Sequence, residues 1–525
     1  MPGPEARPET VLETETGPDA RPFPGAVLDA LAAAADRPVF EHGDRTLTGG
    51  ELLDLVARIA AGLRNEGLRP GDGVALLLGV TPEAFATILA AHAVGTRVVG
   101  VRPGLPDAHL RHLLGLDIAA VLTDGSAPRV TATTRRDQRT LTVDALRATP
   151  AAPLSPEGRP DDVARLLHTS GSTGTPKACA QTYAAMTAAW AARPAAWPPA
   201  IRALAARLDR FLVFGSLSSQ VMFEYAVLTL AAGGTAVVAD NPPPASGRGD
   251  PHIASLAAAI TRLRGTASVI TVPRLARLVA AQRRDPADLS TLRALMVSGS
   301  PLTPDRHREA LDVLGPVVFH GYGQTETGMI AMATPDDVPG SVGVPPAAVE
   351  VRIRDAHGAP VPAGVDGELF VRTAAQATGY WGEPARSAEV FTGGLVRTRD
   401  LGHLDGDGRL HLTGRTRDVV IVNANLHYAG PIERVIAEHE DVAEAYVVAV
   451  PDEDTGEAVH AFVVPATGRT PRLPALRALV TARLGAACAP VRLTAIAEPP
   501  VAPSGKPDKR LLLSRLAHHP DITET

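Results

Sequence analysis

The run LLHTSGSTGTPK, Leu166 to Lys177, joins a short apolar segment to a loop of hydroxyl residues and glycines. The apolar segment predicts a buried strand that ends where the loop begins. Glycines let backbone N–H groups approach an anion closely and hydroxyls add donors, so the loop suits a polyphosphate. The pattern is not the G-x-x-x-x-G-K-[ST] of a P-loop, and an ordinary flexible turn is the alternative. The candidate phosphate-binding residues are Thr169, Ser170, Gly171, Ser172, Thr173, Gly174 and Lys177.

Lysine is rare in this chain. Among 51 basic residues, the lysines are Lys177, Lys506 and Lys509 alone. A compact ammonium can lie where a planar guanidinium cannot, so a surviving lysine inside a motif favours a chemical role. Lys177 and Lys506 lie inside such motifs, whereas for Lys509 we expect chance survival on a solvated surface.

A second motif, HGYGQTETG at His320 to Gly328, also follows an apolar run. We expect a strand at Val317 to His320 and a turn after it. Tyr322 offers a flat face to a base, Thr325 a hydroxyl to a phosphate, and Glu326 a carboxylate to Mg²⁺. A plain strand-end turn is the alternative.

Two more motifs lie further along the chain, TRDLG at Thr398 to Gly402 and GRTRD at Gly414 to Asp418. Asp400 could accept hydrogen bonds from two ribose hydroxyls, as acidic residues do in nucleotide sites. Arg415 could add a contact to the ribose or a phosphate, although a surface ion pair between the two is the simpler interpretation. A last motif, PSGKPDKR, places Lys506 in a Pro- and Gly-rich segment near the C-terminus.

Together and in this order, these motifs resemble the adenylate-forming superfamily of acyl-CoA synthetases, nonribosomal-peptide adenylation domains and luciferases. The resemblance implies ATP and Mg²⁺ as cofactors, with the first loop on the β- and γ-phosphates and Tyr322 against adenine. It further implies that Thr325 contacts the α-phosphate, Glu326 is a metal ligand, and Asp400 holds the ribose with Arg415 nearby. Asp418 matches the family's hinge, and Lys506 matches the lysine that bridges the attacking oxyanion and the α-phosphate.

The fold class predicted is α/β, because apolar strands alternate with helices over most of the chain. We expect a disordered tail at 1–20 and a large N-terminal domain at 21–416, with stacked mixed sheets, helices and a β-rich subdomain. A small, mobile α+β C-terminal domain should follow at 417–525. A chain of 525 residues is also too long for one compact core.

Composition excludes several functions. A net charge of −6 argues against a nucleic-acid-binding surface, which needs clustered cations. Two cysteines cannot form a disulfide framework, so a reducing, cytoplasmic location is expected. The apolar stretch from Val74 to Val101 is interrupted by charged and proline residues, so no membrane span is expected.

The predicted function is ATP-dependent adenylation of a small oxyacid, most readily an aryl or acyl carboxylic acid, with release of pyrophosphate. Transfer to a thiol or amine would follow, and CoA, a carrier-protein pantetheine and a free amine remain open as acceptors. Two alternatives are adenylation of nitrite for diazotisation of an aromatic amine, and a degenerate nucleotide-binding scaffold. The residues expected to face the acid are Gln220, Glu224, Ser298, Gly299, Ser300 and Gly321.

Several positions depart from the family pattern. Tyr183 replaces a usual histidine, and Arg399 replaces the glycine that normally precedes the ribose aspartate. Leu217 and Ser218 replace an aromatic-histidine pair, and Ala424 replaces a glycine of the pantetheine tunnel. These changes make adenylation a firmer expectation than thioester formation.

Overall fold

The computed structural model describes residues 21–101, 107–125, 138–169, 177–189, 194–239, 251–299, 302–416, 418–422, 425–452, 455–501 and 507–518. The predicted tail at 1–20 lies outside these ranges. So do Ser170 to Gly174 of the phosphate loop, Ser300 and Lys506. For Thr169, only the backbone is described.

The strands of the described chain are short, and most alternate with helices. They are β1 (Pro38–His42), β2 (Arg45–Thr48), β3 (Gly73–Leu77), β4 (Arg97–Gly100), β5 (Ala120–Thr123), β6 (Arg139–Thr142), β7 (Val163–Thr169), β8 (Lys177–Thr182), β9 (Arg210–Val213), β10 (Thr235–Val238), β11 (Ala267–Thr271), β12 (Ala294–Ser298), β13 (Val318–Gln324), β14 (Gly328–Ala333), β15 (Glu350–Arg354), β16 (Gly367–Arg372), β17 (Gly379–Tyr380), β18 (Phe391–Thr392), β19 (Leu395–Leu404), β20 (Leu410–Arg415), β21 (Val419–Val422), β22 (Asn425–Tyr428), β23 (Val442–Asp452), β24 (Gly456–Pro465) and β25 (Arg492–Ala495).

The helices of the described chain run from the N-terminal region to the last described segment. They are α1 (Gly25–Ala33), α2 (Gly49–Asn65), α3 (Pro82–Ala93), α4 (Asp107–Leu114), α5 (Val143–Arg147), α6 (Tyr183–Ala188), α7 (Pro199–Ala205), α8 (Gln220–Ala231), α9 (Pro251–Leu263), α10 (Val272–Arg284), α11 (Pro304–Leu314), α12 (Pro384–Val390), α13 (Ala429–Ala437), α14 (Leu473–Leu484) and α15 (Lys509–His518).

Within the described ranges, two large mixed sheets form the body of the protein. One has the order β14-β13-β12-β11-β9-β10-β1-β2, and the other β17-β8-β7-β4-β3-β5-β6. Parallel pairs such as β11 with β12 need crossover helices, and these helices supply the faces that cover the sheets. One apolar core contains side chains from both sheets, including Val74 and Phe319. The expected α/β architecture of stacked mixed sheets is confirmed.

Two smaller sheets complete the fold. The expected β-rich subdomain is present as a sheet of order β15-β16-β19-β18, with β20 paired to β19. The small C-terminal domain has the order β22-β21-β24-β23 with β25 on β24, packed by α13 and α14. In this arrangement Arg277 of α10 lies 3.6 Å from the buried Glu444 of β23, measured from Nη2 to Oε1. The two domains therefore touch through a charged contact.

Helix starts follow from ordinary capping chemistry. Thr48 and Glu51 form a reciprocal capping box at the start of α2. Thr81 caps α3 through the amide of Ala84, and Pro82 occupies the first turn, where its missing N–H leaves no donor unpaired. α3 is buried on almost every face, which explains why its sequence is nearly all apolar.

One strand prediction is wrong in an instructive way. The strand that was expected to end at His320 continues through the glycines to Gln324 and pairs antiparallel with β14. A Cβ on Gly323 would lie 2.4 Å from the carbonyl oxygen of Gly328, so this pairing requires glycine there. Glycine in the motif therefore allows two backbones to come close, and the turn begins later, at Thr325.

Gly343, in the segment GSVGVP, tests whether a glycine is required where two backbones come close. Its φ is +80°, and an added Cβ would lie 2.4 Å from the carbonyl oxygen of Met332. We expect Gly343→Ala to lose about 2 kcal/mol or more of stability, from left-handed strain plus the clash. Gly358→Ala is the matched control, because its φ is +85° with no atom within 4 Å of the new Cβ. Equal melting temperatures for the two variants would contradict the argument.

Candidate functional site

The described residues enclose a cavity of about 300 Å³ lined by both large sheets and by α8. Its wall includes Leu76 and Val98 from one sheet and residues of β12 and β13 from the other. The expected acid-facing residues that line it are Gln220, Glu224, Ser298, Gly299 and Gly321. Tyr322 and Thr325 line the same cavity, so the second motif and the expected acid site share one space.

Asp400 is the best-connected side chain at this site. Its Oδ2 accepts hydrogen bonds from the Tyr322 hydroxyl at 2.8 Å and from Gln324 Nε2 at 2.5 Å. Its Oδ1 accepts from Arg415 Nε at 2.8 Å. The carboxylate is buried, so these donors compensate for its lost hydration. The expected ion pair of Asp400 and Arg415 is present, and it joins a buried carboxylate to a guanidinium side chain that is 51% exposed.

Tyr322 is locked as a neutral phenol. Burial, reinforced by the adjacent Asp400 carboxylate, raises its pKa well above the ordinary value. The hydroxyl therefore keeps its proton and donates a hydrogen bond to Asp400. Gln324, which the motif analysis passed over, donates a second hydrogen bond to the Thr398 carbonyl at 2.9 Å and so fixes its amide orientation.

Arg399 has a backbone conformation that explains the family's glycine. Its φ is +62°, in the left-handed region where a side chain is strained. The guanidinium lies 3.2 Å from the Glu389 carboxylate, and the backbone N–H of the next residue, Asp400, donates a hydrogen bond to the Thr398 hydroxyl. The departure from glycine keeps the backbone path and adds strain next to Asp400.

Lys177 and Glu326 meet at the ring of Tyr380. The buried ammonium of Lys177 lies 4.5 Å from the ring centroid, a cation–π distance. The Tyr380 hydroxyl donates to Glu326 Oε1 at 2.8 Å. Burial and the Glu326 carboxylate raise the pKa of Tyr380, which keeps the donor protonated. The sequence motifs did not predict that Tyr380 contacts both residues.

The ends of the phosphate loop are fixed by strand pairing. Thr169 at the end of β7 pairs with Lys177 at the start of β8. Thr325 and Glu326 lie in the turn between β13 and β14.

A single carboxylate at Glu326 fits Mg²⁺, which prefers oxygen ligands and often takes only one or two from the protein when phosphates supply others. Across the described ranges, no group of three or more His, Cys, Asp or Glu side chains could hold a metal ion. A dedicated all-protein cage is therefore absent from this part of the chain, and Glu326 stays the predicted metal ligand.

The predicted hinge residue Asp418 is tied to the last helix. Lys509 Nζ lies 2.7 Å from Asp418 Oδ2 and 2.6 Å from Glu433 Oε1. Although burial opposes the charge, the two carboxylates raise the pKa of Lys509 above its usual value. The expectation of a chance surface lysine is therefore wrong. Sequence reasoning failed because both partners are remote along the chain.

Two departures from the family pattern, Tyr183 and the pair Leu217 and Ser218, lie in different surroundings. The Tyr183 hydroxyl lies inside the core, 2.9 Å from the Thr96 carbonyl oxygen and 3.1 Å from that of His92. Leu217 and Ser218 line the cavity where the family's larger pair is expected.

No helix in the described ranges is long and apolar enough to cross a membrane.

Two family models match the chain. The model for AMP-binding enzymes matches residues 28–381, and the model for the C-terminal domain of AMP-binding enzymes matches residues 431–506.

Among known proteins, the chain is 34% identical over 438 residues to a feruloyl-CoA synthase from Amycolatopsis, covering 81% of this chain and 85% of that protein. It is 30% identical over 488 residues to the fatty acid–[acyl-carrier-protein] ligase ScoC of Streptomyces coeruleorubidus, covering 90% and 92%. The solved structure of the amide bond synthetase McbA from Marinactinospora thermotolerans superposes with a TM-score of 0.80 at 34% identity, covering 94% and 99%.

A buried histidine in the cavity wall gives a pH prediction. Burial, with Arg165 adding to it, lowers the pKa of His92 to about 3, so the folded protein holds it neutral. The unfolded chain binds a proton below about pH 6.5, so stability falls as pH drops from there towards 3. At pH 5, one such histidine lowers the free energy of unfolding by about 2 kcal/mol relative to pH 7.

We therefore expect the melting temperature of His92→Leu to fall less than that of wild type when the pH is lowered from 7 to 5. His357→Leu is the control, because His357 is exposed. Parallel pH curves for wild type and His92→Leu would show that His92 is not the group responsible.

Proposed function

Since the chain belongs to the AMP-binding enzyme family and is an AMP-forming ligase, we propose that it activates an aryl or acyl carboxylic acid with ATP. Pyrophosphate is released, and the acyl group then passes to a thiol or an amine. The observation that carries the proposal is the Asp400 network, which joins a buried carboxylate to side chains of the acid-sized cavity.

The nucleotide half of the site follows from this network. Tyr322, Gln324 and Arg415 orient Asp400 and occupy three of the about four hydrogen bonds that a carboxylate accepts, so two ribose hydroxyls bind there once one of these donors gives way. Tyr322 presents its ring towards the same cavity for the base. Arg415 stays charged beside Asp400 and balances its charge.

The reaction is an in-line displacement at the α-phosphorus. A carboxylate oxygen of the acid attacks, the bond to the bridging oxygen breaks, and pyrophosphate leaves. Thr325, in the turn after β13, donates a hydrogen bond from its hydroxyl to the α-phosphate. Lys177 and Lys506 supply positive charge near the phosphates. Glu326 would hold Mg²⁺, which would supply positive charge to the phosphates.

The second half-reaction uses an acceptor of the kind that the relatives' names state: CoA, an acyl-carrier protein or an amine. Each is a nucleophile that attacks the acyl carbon and expels AMP. None of these three relatives is named for nitrite, and the nitrite alternative has no support from them. The degenerate-scaffold alternative is disfavoured by the intact contacts of Asp400 and Glu326.

The central experiment measures pyrophosphate release from ATP and Mg²⁺ with a panel of aryl and acyl acids, with nitrite included. CoA and a primary amine are then added separately to the loaded enzyme, and the product is identified by mass. Pyrophosphate release with a carboxylic acid supports the proposal. Release with nitrite alone, or with no acid of the panel, would overturn it.

Asp400→Ala tests the ribose assignment. The variant loses hydrogen bonds from two ribose hydroxyls to a buried charge, so ATP should bind about 10- to 100-fold more weakly in calorimetry. Asp366→Ala is the control, because Asp366 is half exposed and pairs with His403 on the same subdomain. An ATP affinity equal to that of wild type would remove Asp400 from the ribose site.

Lys506→Ala tests the charge on the reacting phosphate. A side chain used only in the transition state lowers kcat with little effect on binding, so adenylate formation should fall by about 10²- to 10³-fold while ATP still binds. Lys506→Arg should not restore the rate, because a planar guanidinium cannot place a point charge between two oxyanions.

The control for Lys506 is the second half-reaction, started from synthetic acyl adenylate. It should proceed at nearly the wild-type rate in both variants. Equal losses in the two half-reactions would mean that Lys506 supports the fold and not the transfer at phosphorus.

A further inference from the structure

An ion pair lies in the wall of the cavity that holds the acid in the function proposed above. Arg165 of β7 and Glu224 of α8 are joined at 2.6 Å, from Nη2 to Oε1. Their side chains are only 7% and 16% exposed. Both residues line the cavity. Glu224 was expected to face the substrate, but its partner was not foreseen.

Hydrogen bonds hold this pair in one geometry. Arg165 Nε donates to Gln181 Oε1 at 2.5 Å, and Gln181 Nε2 donates to the Ala375 carbonyl at 2.6 Å. Gln220 Nε2 donates to Glu224 Oε1 at 3.0 Å. Because both donors use Oε1, the second oxygen, Oε2, has no hydrogen-bond partner in the described part of the chain. Glu224 Oε2 can therefore accept a hydrogen bond from a ligand in the cavity.

Stability does not account for this pair. Removing two charges from water is costly, and a well-packed apolar pair of similar volume is often equally or more stable. The neighbouring wall is apolar, with Leu76, Ile88 and Leu113 among its residues. A buried pair in such surroundings is explained better by recognition of a polar group than by packing.

The polar part of the wall carries no net charge. Arg165 and Glu224 cancel each other. Burial lowers the pKa of His92 to about 3 and that of His168 to about 4, so both imidazoles are neutral at physiological pH. A cation or a second carboxylate would be left uncompensated here, whereas a neutral group with a polar hydrogen would be accepted.

The position of Arg165 places this group far from the reacting carboxylate. Arg165 precedes Thr169, the last residue of β7, by four positions in an extended strand. At about 3.3 Å per residue the separation is ~13 Å along the strand. The phosphate loop begins at Thr169, so the Arg165–Glu224 pair faces the part of the acid remote from its carboxyl group.

We propose that the cavity selects aryl or acyl acids that carry a neutral hydrogen-bond donor, an N–H or O–H, at the end remote from the carboxylate, with Glu224 Oε2 as the acceptor. This selection presupposes the adenylation proposed above. Arg165 is a positioning residue: it orients Glu224 without using the free oxygen.

The test compares matched ligands in which one polar hydrogen is replaced by a methyl group. Stable acyl-sulfamate analogues of the acyl adenylate are made from indole-5-carboxylic acid and its N-methyl derivative, and from 4-hydroxycinnamic and 4-methoxycinnamic acids. Wild-type enzyme should bind the donor-bearing member of at least one pair about 10- to 100-fold more tightly than its methylated partner, as expected for a hydrogen bond to a charged group. Calorimetry gives both dissociation constants.

A double variant distinguishes recognition of the ligand's polar hydrogen from exclusion of the larger, methylated ligand. Arg165→Met combined with Glu224→Leu removes both charges together, so neither is left buried alone, and the discrimination should fall to about 2-fold or less. Arg210→Met with Glu41→Leu is the matched control, since it removes a bidentate pair outside the cavity. This control should keep the wild-type discrimination. Thermal melts verify that both double variants fold.

The outcomes distinguish this inference from the function on which it rests. If ATP and all four analogues fail to bind the wild-type enzyme, the proposed adenylation itself is wrong. If ATP binds but no donor-bearing analogue binds better than its methylated partner, the adenylation stands and the selection is overturned. Discrimination that persists in the Arg165/Glu224 double variant would assign it to another part of the wall.

Discussion

The carboxylate of Asp400 is the point on which the candidate site depends. It lies in β19, and its hydrogen-bond donors come from β13 and β20. One buried charge therefore ties an edge of a large sheet to the β-rich subdomain. Without its three donors, the desolvated carboxylate would be unstable in place, and the two sheets would lose the hydrogen bonds by which Tyr322 and Gln324 join them at Asp400. The same arrangement that stabilises the charge also orients it before any nucleotide arrives.

Much of the architecture could be predicted because local patterns agreed with the tertiary fold. The alternation of apolar strands and helices indicated the α/β class, and the apolar segment at Leu166 indicated a strand that ends where the phosphate loop begins, as β7 does. The motifs also indicated which residues would share a cavity, since Gln220, Glu224 and Gly321 all line it. Strand ends were less predictable. Glycines at the end of β13 suggested a turn, whereas they allow the close pairing with β14.

The unpredicted contacts share one physical cause: they join residues that are distant in sequence and ordinary in composition. Lys509 differs from a surface lysine only through Asp418 and Glu433, which come from elements that the sequence does not place beside it. Arg165 was visible as a charge within an apolar strand, but the strand pattern alone could not supply its partner. Tyr380 acquires its role only where β17 pairs with β8 and brings its ring to Lys177.

The lysine environments have a further consequence for an enzyme that makes activated acyl groups. A mixed anhydride that escapes its site acylates neutral amines, whereas guanidinium groups remain protonated and unreactive. Of the two lysines that the structure describes, Lys177 is buried against an aromatic ring and Lys509 is held charged between two carboxylates. Neither presents a free amine to solvent. Within the described part of the chain, an escaped acyl adenylate therefore meets no solvent-facing lysine amine, because lysines are rare and the two described ones are held by other groups.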